Sequence, residues 1–164
     1  MRYLPRLVSK EGGYGRTGSR TPMQWGDGPN ADFSTAAPGR LYLPFDPRHS
    51  RPTVRKQVDD PRSLLQHVRK LITLRQSSPA LQAAGDMIPL PVENDNHHFA
   101  YLRQSGNDRF LIILNPSALP SQYRIKNLKA NSLEPQLNHG TRAYIEGDDV
   151  AVTMTGISYG IFKL

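Results

Sequence analysis

From residue 60 onward, apolar and polar positions alternate with a helical period. Leu64, Leu65, Val68, Leu71 and Ile72 recur on one side, with Arg62, Gln66, Arg69, Lys70 and Gln76 on the other. That spacing is the signature of an amphipathic helix. Asp60-Pro61 offers an N-cap followed by a proline at the first helical position, where a missing N–H costs nothing. Ser77-Ser78-Pro79 offers a stop. The pattern predicts a helix over 61–76 that buries one side. A further helical turn is expected around 80–83, closed by Gly85.

After Gly85 the period shortens to two. Strands are expected at 86–91, 98–104, 109–115, 122–125, 132–137, 150–154 and 158–164. The first carries prolines and suits an edge. The third holds the unbroken apolar run Phe110–Leu114, as in a central strand covered on both faces. Gly106-Asn107-Asp108 reads as the hairpin turn before it, and Val150, Val152 and Met154 share one face. About seven short strands with turn residues between them suggest an antiparallel sandwich. The expected fold is mainly β: a C-terminal antiparallel Greek-key β-sandwich, preceded by a loop-rich segment and one long amphipathic helix.

Residues 1–58 show neither period. Fourteen prolines and thirteen glycines in 164 residues imply many turns. A loop this long is unusual inside an autonomous domain, so it is expected either to be mobile or to lie against a surface that other residues provide. The net charge is +7, with basic residues concentrated before residue 57. They form no compact cluster and lie on no predicted helix, so nucleic-acid binding is not expected. The chain has no cysteine, which excludes disulfides and thiolate zinc sites and points to a reducing compartment. No apolar run approaches the roughly 20 residues of a membrane span, and no signal peptide is evident. A cytoplasmic location without membrane association is the default expectation.

Candidate chemistry is sparse. His97-His98 follows Glu93, Asn94 and Asp95, but adjacent strand residues point to opposite faces, so a polar turn outweighs a metal site. His139-Gly140 and Asp148-Asp149 read as turns. Gly12–Arg16 (GGYGR) reads as a flexible loop rather than a phosphate cradle. No nucleophile stands beside a base in a recognisable motif, and no metal or cofactor is expected. The stretch Ser19–Ser34, SRTPMQWGDGPNADFS, is different. It holds the chain's single tryptophan and an arginine on a segment with no regular period. Arg20 offers a rigid fork of donors to hydroxyls or a carboxylate. Trp25 offers a broad apolar plate for packing or for a sugar face. From physics alone the plainer reading is that Trp25 anchors the loop by burial and Arg20 pairs with an acid.

SRTPMQW followed by GDGPNADFS resembles the RTPMQWD…NAGFS segment of the α-glucosidase and trehalose-synthase branch of the α-amylase superfamily of glycoside hydrolases. The likeness continues through PGRLYLPFDP at Pro38–Pro47 and DPRSLLQHVRKLITLRQSSPAL at Asp60–Leu81, and YGIFKL resembles the usual ending. It covers residues from about 12 to 164. The resemblance implies that 1–84 is the end of a catalytic (β/α)8 barrel, loop plus last helix, and that 85–164 is the all-β domain that follows it. It implies that Arg20 helps hold a glucosyl unit in the innermost sugar subsite, and that Trp25 supports the loop rather than stacking on sugar.

The same resemblance implies what is missing. The family hydrolyses α-glucosides with a carboxylate nucleophile and a carboxylic acid, about 5 Å apart in retaining enzymes, and a further aspartate grips the sugar. All three precede RTPMQW. The chain is therefore expected to be a C-terminal fragment without catalytic residues, inactive alone, whose partners are an α-glucoside or maltooligosaccharide and a missing barrel portion. The alternatives are a non-catalytic sugar-binding module, with Phe99, Tyr101 or Tyr123 as exposed aromatics, or a subunit completing a split enzyme. Three positions depart from the family pattern: Gly26 stands where Asp is usual, Asp32 where Gly is common, and Thr17 where part of the branch has Asp. Gly26 removes a carboxylate. Asp32 adds one in a turn that glycine enters easily.

Overall fold

The computed structural model describes residues 20–37, 39–91 and 99–164. GGYGR and the His97-His98 cluster with Glu93, Asn94 and Asp95 lie outside them. The described residues divide into two compact units between Arg69 and Lys70.

The first unit is mostly irregular. Its regular elements are a 3-10 turn at Pro29–Asp32, a single-turn helix α1 at Val54–Val58, and the start of helix α2, Leu64–Ser77. Helix α1 was not foreseen. Thr53 caps it, its side chain accepting from the Lys56 N–H. Helix α2 starts later than its sequence predicts. Asp60 caps only a turn, accepting from Arg62 N at 2.9 Å. The cap is Ser63, whose Oγ accepts from Gln66 N at 3.3 Å. Gln57 of α1 satisfies a second open donor, Leu65 N, at 3.0 Å. Those two acceptors stand in for two of the four carbonyl partners that a helix start lacks. The expectation that α2 buries one side is met only in part: Leu65, Leu71 and Leu74 are half-buried, no α2 residue is fully buried, and Leu64, Val68 and Ile72 are exposed, Leu64 by 71%.

The second unit is an antiparallel sheet whose strands are β1 (Asp86–Pro89), β2 (Phe99–Ser105), β3 (Asp108–Asn115), β4 (Ser121–Ile125), β5 (Glu134–Glu146) and β6 (Asp149–Lys163). β1, β2 and β3 pair in sequence, and β3 pairs with the C-terminal half of β6. β4 pairs with residues 150–154 of β6, and β5 runs along the whole of it. The two strands expected at 150–154 and 158–164 are thus one long strand. The strand expected at 132–137 runs on to Glu146, and His139-Gly140 is a bulge inside it rather than a turn. The register shifts between His139 and Thr141. Gly140 has φ 64°, and a Cβ there would lie 2.1 Å from Thr155 Oγ1, so only glycine fits the bulge.

The core explains why β3 reads as continuously apolar. Leu111 and Ile113 join Ala100, Leu102, Val150, Val152, Met154 and Phe162 in the main cluster. Phe110 and Ile112 face the other way, under Ala80, Leu74 and Leu81. Arg103 ties the Pro79–Leu81 turn to β2, donating to the carbonyls of Ala80 at 3.0 Å and Gln82 at 2.6 Å. Asp108 accepts from Ala80 N at 3.0 Å. The hairpin turn at Gly106-Asn107 falls where the sequence put it, with Gly106 at φ 59°.

Candidate functional site

The loop that the sequence singled out is held by backbone and charge rather than by its tryptophan. Gln24 O and Trp25 O accept from Val54 N (2.9 Å) and Arg55 N (3.0 Å), so the loop satisfies the first donors of α1. Trp25 N and Gly26 N both donate to Ala31 O, closing the loop on itself. The Trp25 side chain is 49% exposed, which overturns its expected anchoring by burial.

Between those backbone bonds the chain takes a rare shape. Asn30, Ala31 and Asp32 have φ of 50°, 56° and 57°. Asparagine and aspartate enter the left-handed region more readily than other side chains, but Ala31 is strained there by roughly 1–2 kcal/mol, and three such residues in a row are rare. The surroundings enforce it. Asn30 Nδ2 donates to Ser34 O at 3.1 Å and Ala36 O at 2.8 Å, and Ala31 is fully buried.

Cations from around α1 clamp the loop. Arg51 is only 7% exposed. It donates to Gly26 O at 3.4 Å, faces Asp27 at 3.7 Å and lies 5.4 Å above the Phe45 ring centroid. Lys56 Nζ donates to Asp27 Oδ1 at 3.1 Å and to His49 O at 3.4 Å. The Lys56 hydrogen bond, with Arg51 and Arg55 nearby, holds the Asp27 carboxyl below the ordinary aspartate range. Arg55 reaches Asp32 Oδ2 at 3.4 Å. In the next segment, Asp46 accepts from the Arg48 backbone at 3.0 Å and from its guanidinium Nε at 2.9 Å, which brings its carboxyl down to about 2. Arg51, Arg55 and Lys56 are among the basic residues that the sequence concentrates before residue 57. The signal available was their spacing on one short segment beside a loop with two aspartates.

Arg20 sits at an exposed bend at the first described position of this loop. Asp27, Asp32 and Asp46 are each engaged by a cation, so these acids neutralise charge and hold the loop. Among the described residues no group of three or more His, Asp or Glu side chains is placed to hold a metal ion.

The other named candidates lie on the sheet. Phe99 and Tyr101 on β2 have ring centroids 5.1 Å apart. Phe99 is exposed and Tyr101 half-buried. Tyr123 is not an exposed aromatic: it is part of the core, its hydroxyl 4.0 Å from Met154 Sδ, and burial pushes its ionisation well above the usual tyrosine value. His139 stacks on Tyr159 at 6.3 Å. No helix among the described residues is long and apolar enough to cross a membrane.

Comparison with known proteins adds to this geometry. The family described as alpha amylase, catalytic domain, matches residues 5–84. A probable alpha-glucosidase of Rhizobium meliloti (strain 1021) is 34% identical over 142 residues, 87% of this chain and 24% of that protein. The trehalose synthase/amylase TreS of Mycobacterium tuberculosis is 40% identical over 112 residues, 64% of this chain and 18% of its own. Among solved structures, an isomaltulose synthase variant from Erwinia rhapontici NX5 in complex with D-glucose superposes with a TM-score of 0.71 at 27% identity, over 91% of this chain and 26% of its own. The isomaltulose synthase PalI from Klebsiella sp. LX3 gives 0.69 at 28% identity, over 90% and 25%. The chain spans about a quarter or less of the length of these relatives.

Proposed function

We propose, for a chain that matches the C-terminal portion of α-glucosidase- and trehalose-synthase-type enzymes of the α-amylase superfamily, that it supplies one wall of an α-glucoside site and none of its reacting carboxyls. Arg20 would donate to hydroxyls of the glucosyl unit in the innermost subsite, a task suited to a planar fork of donors. Residues 1–84 would be the end of a (β/α)8 barrel and 85–164 a Greek-key β-sandwich. The nucleophile and acid would come from barrel strands that precede the Arg20 loop in the family, so the chain alone would bind but not cleave. The observation that carries this reading is the clamped loop. Strain at Asn30–Asp32 and three cations hold a segment whose leading arginine stays exposed, and stored strain of this kind clusters at functional sites.

The test has two arms. The purified 164-residue chain is incubated with maltose, isomaltose and p-nitrophenyl α-glucoside, and no turnover is expected. The same chain is then joined to the barrel portion of the Rhizobium relative. Hydrolysis should return there and fall at least about a hundredfold in Arg20→Ala, since the residue would stabilise the bound glucosyl unit as its bond breaks. Turnover by the chain alone, or full activity in the joined Arg20→Ala protein, contradicts the reading.

The exposed face of α2 at Leu64, Val68 and Ile72 favours a second reading, in which the missing barrel portion is a separate polypeptide that docks there. Co-expression of the two pieces distinguishes it from a simple fragment.

A further inference from the structure

On the outer face of the β4–β6–β5 part of the sheet, a small residue leaves a trough. Ala151 on β6 lies between Arg124 on β4 and Tyr144 on β5 in the strand register. Long side chains flank a methyl group, so the centre of this face is low and its sides are high. Gln122 and Thr153 continue the lining one pair along, and Glu146 closes the other end, paired with Arg124 across the trough. The open volume is about 400 Å³, within the usual range for small-ligand sites, roughly 300–1,000 Å³. Tyr144 is 49% exposed, and its hydroxyl meets Thr153 Oγ1 at 3.4 Å.

We propose that this trough is a binding site for a neutral pyranoside, one or two glucosyl units of an α-glucan. Three features select that chemistry. The aromatic ring offers an apolar plate with a polar tip, which suits the C–H face of a pyranose. Around it stand acceptors and donors of every kind a hydroxyl can use: carboxylate, guanidinium, amide and hydroxyl. Arg124 pairs with Glu146, and Arg142 and Asp149 stand on the same face of the register, so two cations and two carboxylates balance and leave no net charge to draw an anion. An apolar ligand would strip water from the donors and acceptors that these pairings leave open, at a cost of about 1–3 kcal/mol each. The site belongs to the second unit and does not depend on the Arg20 loop.

The test is a titration of the full chain, labelled with nitrogen-15, by maltotriose and separately by inorganic phosphate. Because the trough is open, millimolar affinity is expected. Maltotriose should shift the amide signals of Ala151, Thr153 and Tyr144 saturably. Tyr144→Ala should weaken binding about tenfold or more, and Tyr144→Phe, which keeps the ring, less than about threefold. Tyr144 lies on the outer face, so both variants leave the core intact, and an unchanged melting temperature verifies it. No saturable shift with maltotriose, equal losses in the two variants, or saturation by phosphate at the same residues overturns the proposal. Because Arg20→Ala lies in the other unit, it leaves this titration unchanged. Loss of the trough and loss of the Arg20 subsite are therefore distinguishable.

Discussion

The carboxylate of Asp32 fills the space into which a side chain on Gly26 would project: a Cβ at Gly26 would lie 2.0 Å from Asp32 Oδ2. Two of the positions at which the sequence departs from the pattern it resembles therefore meet in space. The Asp32 carboxylate, six residues on, stands over Gly26 and lies 3.4 Å from Arg55.

That proximity predicts coupled energetics. Gly26→Asp alone sets two carboxylates in one place and should destabilise by about 2 kcal/mol, as overpacking and like charge together do. Asp32→Gly should be close to neutral, because a weak exposed ion pair is lost while a left-handed residue becomes glycine. The double variant should recover most of the loss, giving a coupling of about 1 kcal/mol or more. Urea denaturation followed through Trp25 fluorescence measures it. Strict additivity would show that the Asp32 carboxylate does not occupy the space beside Gly26 in solution.

The Lys56–Asp27 contact predicts a titration. Asp27 has its pKa lowered first by its hydrogen bond to Lys56. A depressed aspartate contributes stability that is fully present above its unfolded pKa and lost as pH falls through the folded one. The loop unit should therefore hold its stability down to about pH 4 and lose this contribution only below, given an ordinary aspartate value near 3.9. Because Asp27 is exposed, the effect is small and best read at the site. Carboxyl carbon-13 titration should place the Asp27 midpoint below 3.8, and Lys56→Met should raise it. An unmoved midpoint would remove Lys56 from the clamp.

The face of α2 predicts a solubility effect. Leu64, Val68 and Ile72 are exposed at helical spacing, a pattern that marks an interaction surface when contiguous. Leu64→Gln with Ile72→Gln should change unfolding free energy by no more than about 0.5 kcal/mol, as exposed substitutions do, and should reduce self-association in light scattering. A loss of several kcal/mol would mean that the face is covered in solution.

What the sequence could tell, and what it could not, follows from where each structural cause lies. The mainly β second unit was legible because its causes are local. β3 is apolar on both faces because both faces are covered, and Gly106 marks its own turn. The start of α2 was misplaced because two caps compete: Asp60 satisfies its own turn, while Ser63 and a glutamine from α1 complete the helix. β5 was read short because a bulge glycine looks like a turn glycine unless its partner strand is known. In the loop, Arg20 was named from a motif, but the cations that clamp the segment act across 23 to 29 residues of sequence. No local pattern encodes such contacts. The left-handed Ala31 had no signal at all, since nothing about alanine favours that conformation.

Asn115 supplies the sharpest stability test of the sheet. It is buried, and its side-chain amide donates to Leu119 O at 2.9 Å and Thr155 O at 2.8 Å, while its oxygen accepts from Ser117 N at 3.0 Å. It thereby joins the end of β3 to the segment before β4 and to the middle of β6. Asn115→Ala should cost about 2–3 kcal/mol, since two carbonyls and an N–H lose their partner. Asn115→Asp is nearly the same shape but turns a double donor into an anion facing two carbonyl oxygens. It should cost more than alanine at pH 7. Burial among acceptors raises a carboxyl's pKa, and the protonated acid can donate one bond. Measured against the parent chain at each pH, the aspartate penalty should therefore shrink as pH falls towards 4 while the alanine penalty stays constant. Chemical denaturation of the three proteins at both pH values reads this directly. An aspartate variant no worse than alanine at pH 7, or one whose penalty ignores pH, would show that this amide does not bind the two carbonyls in solution.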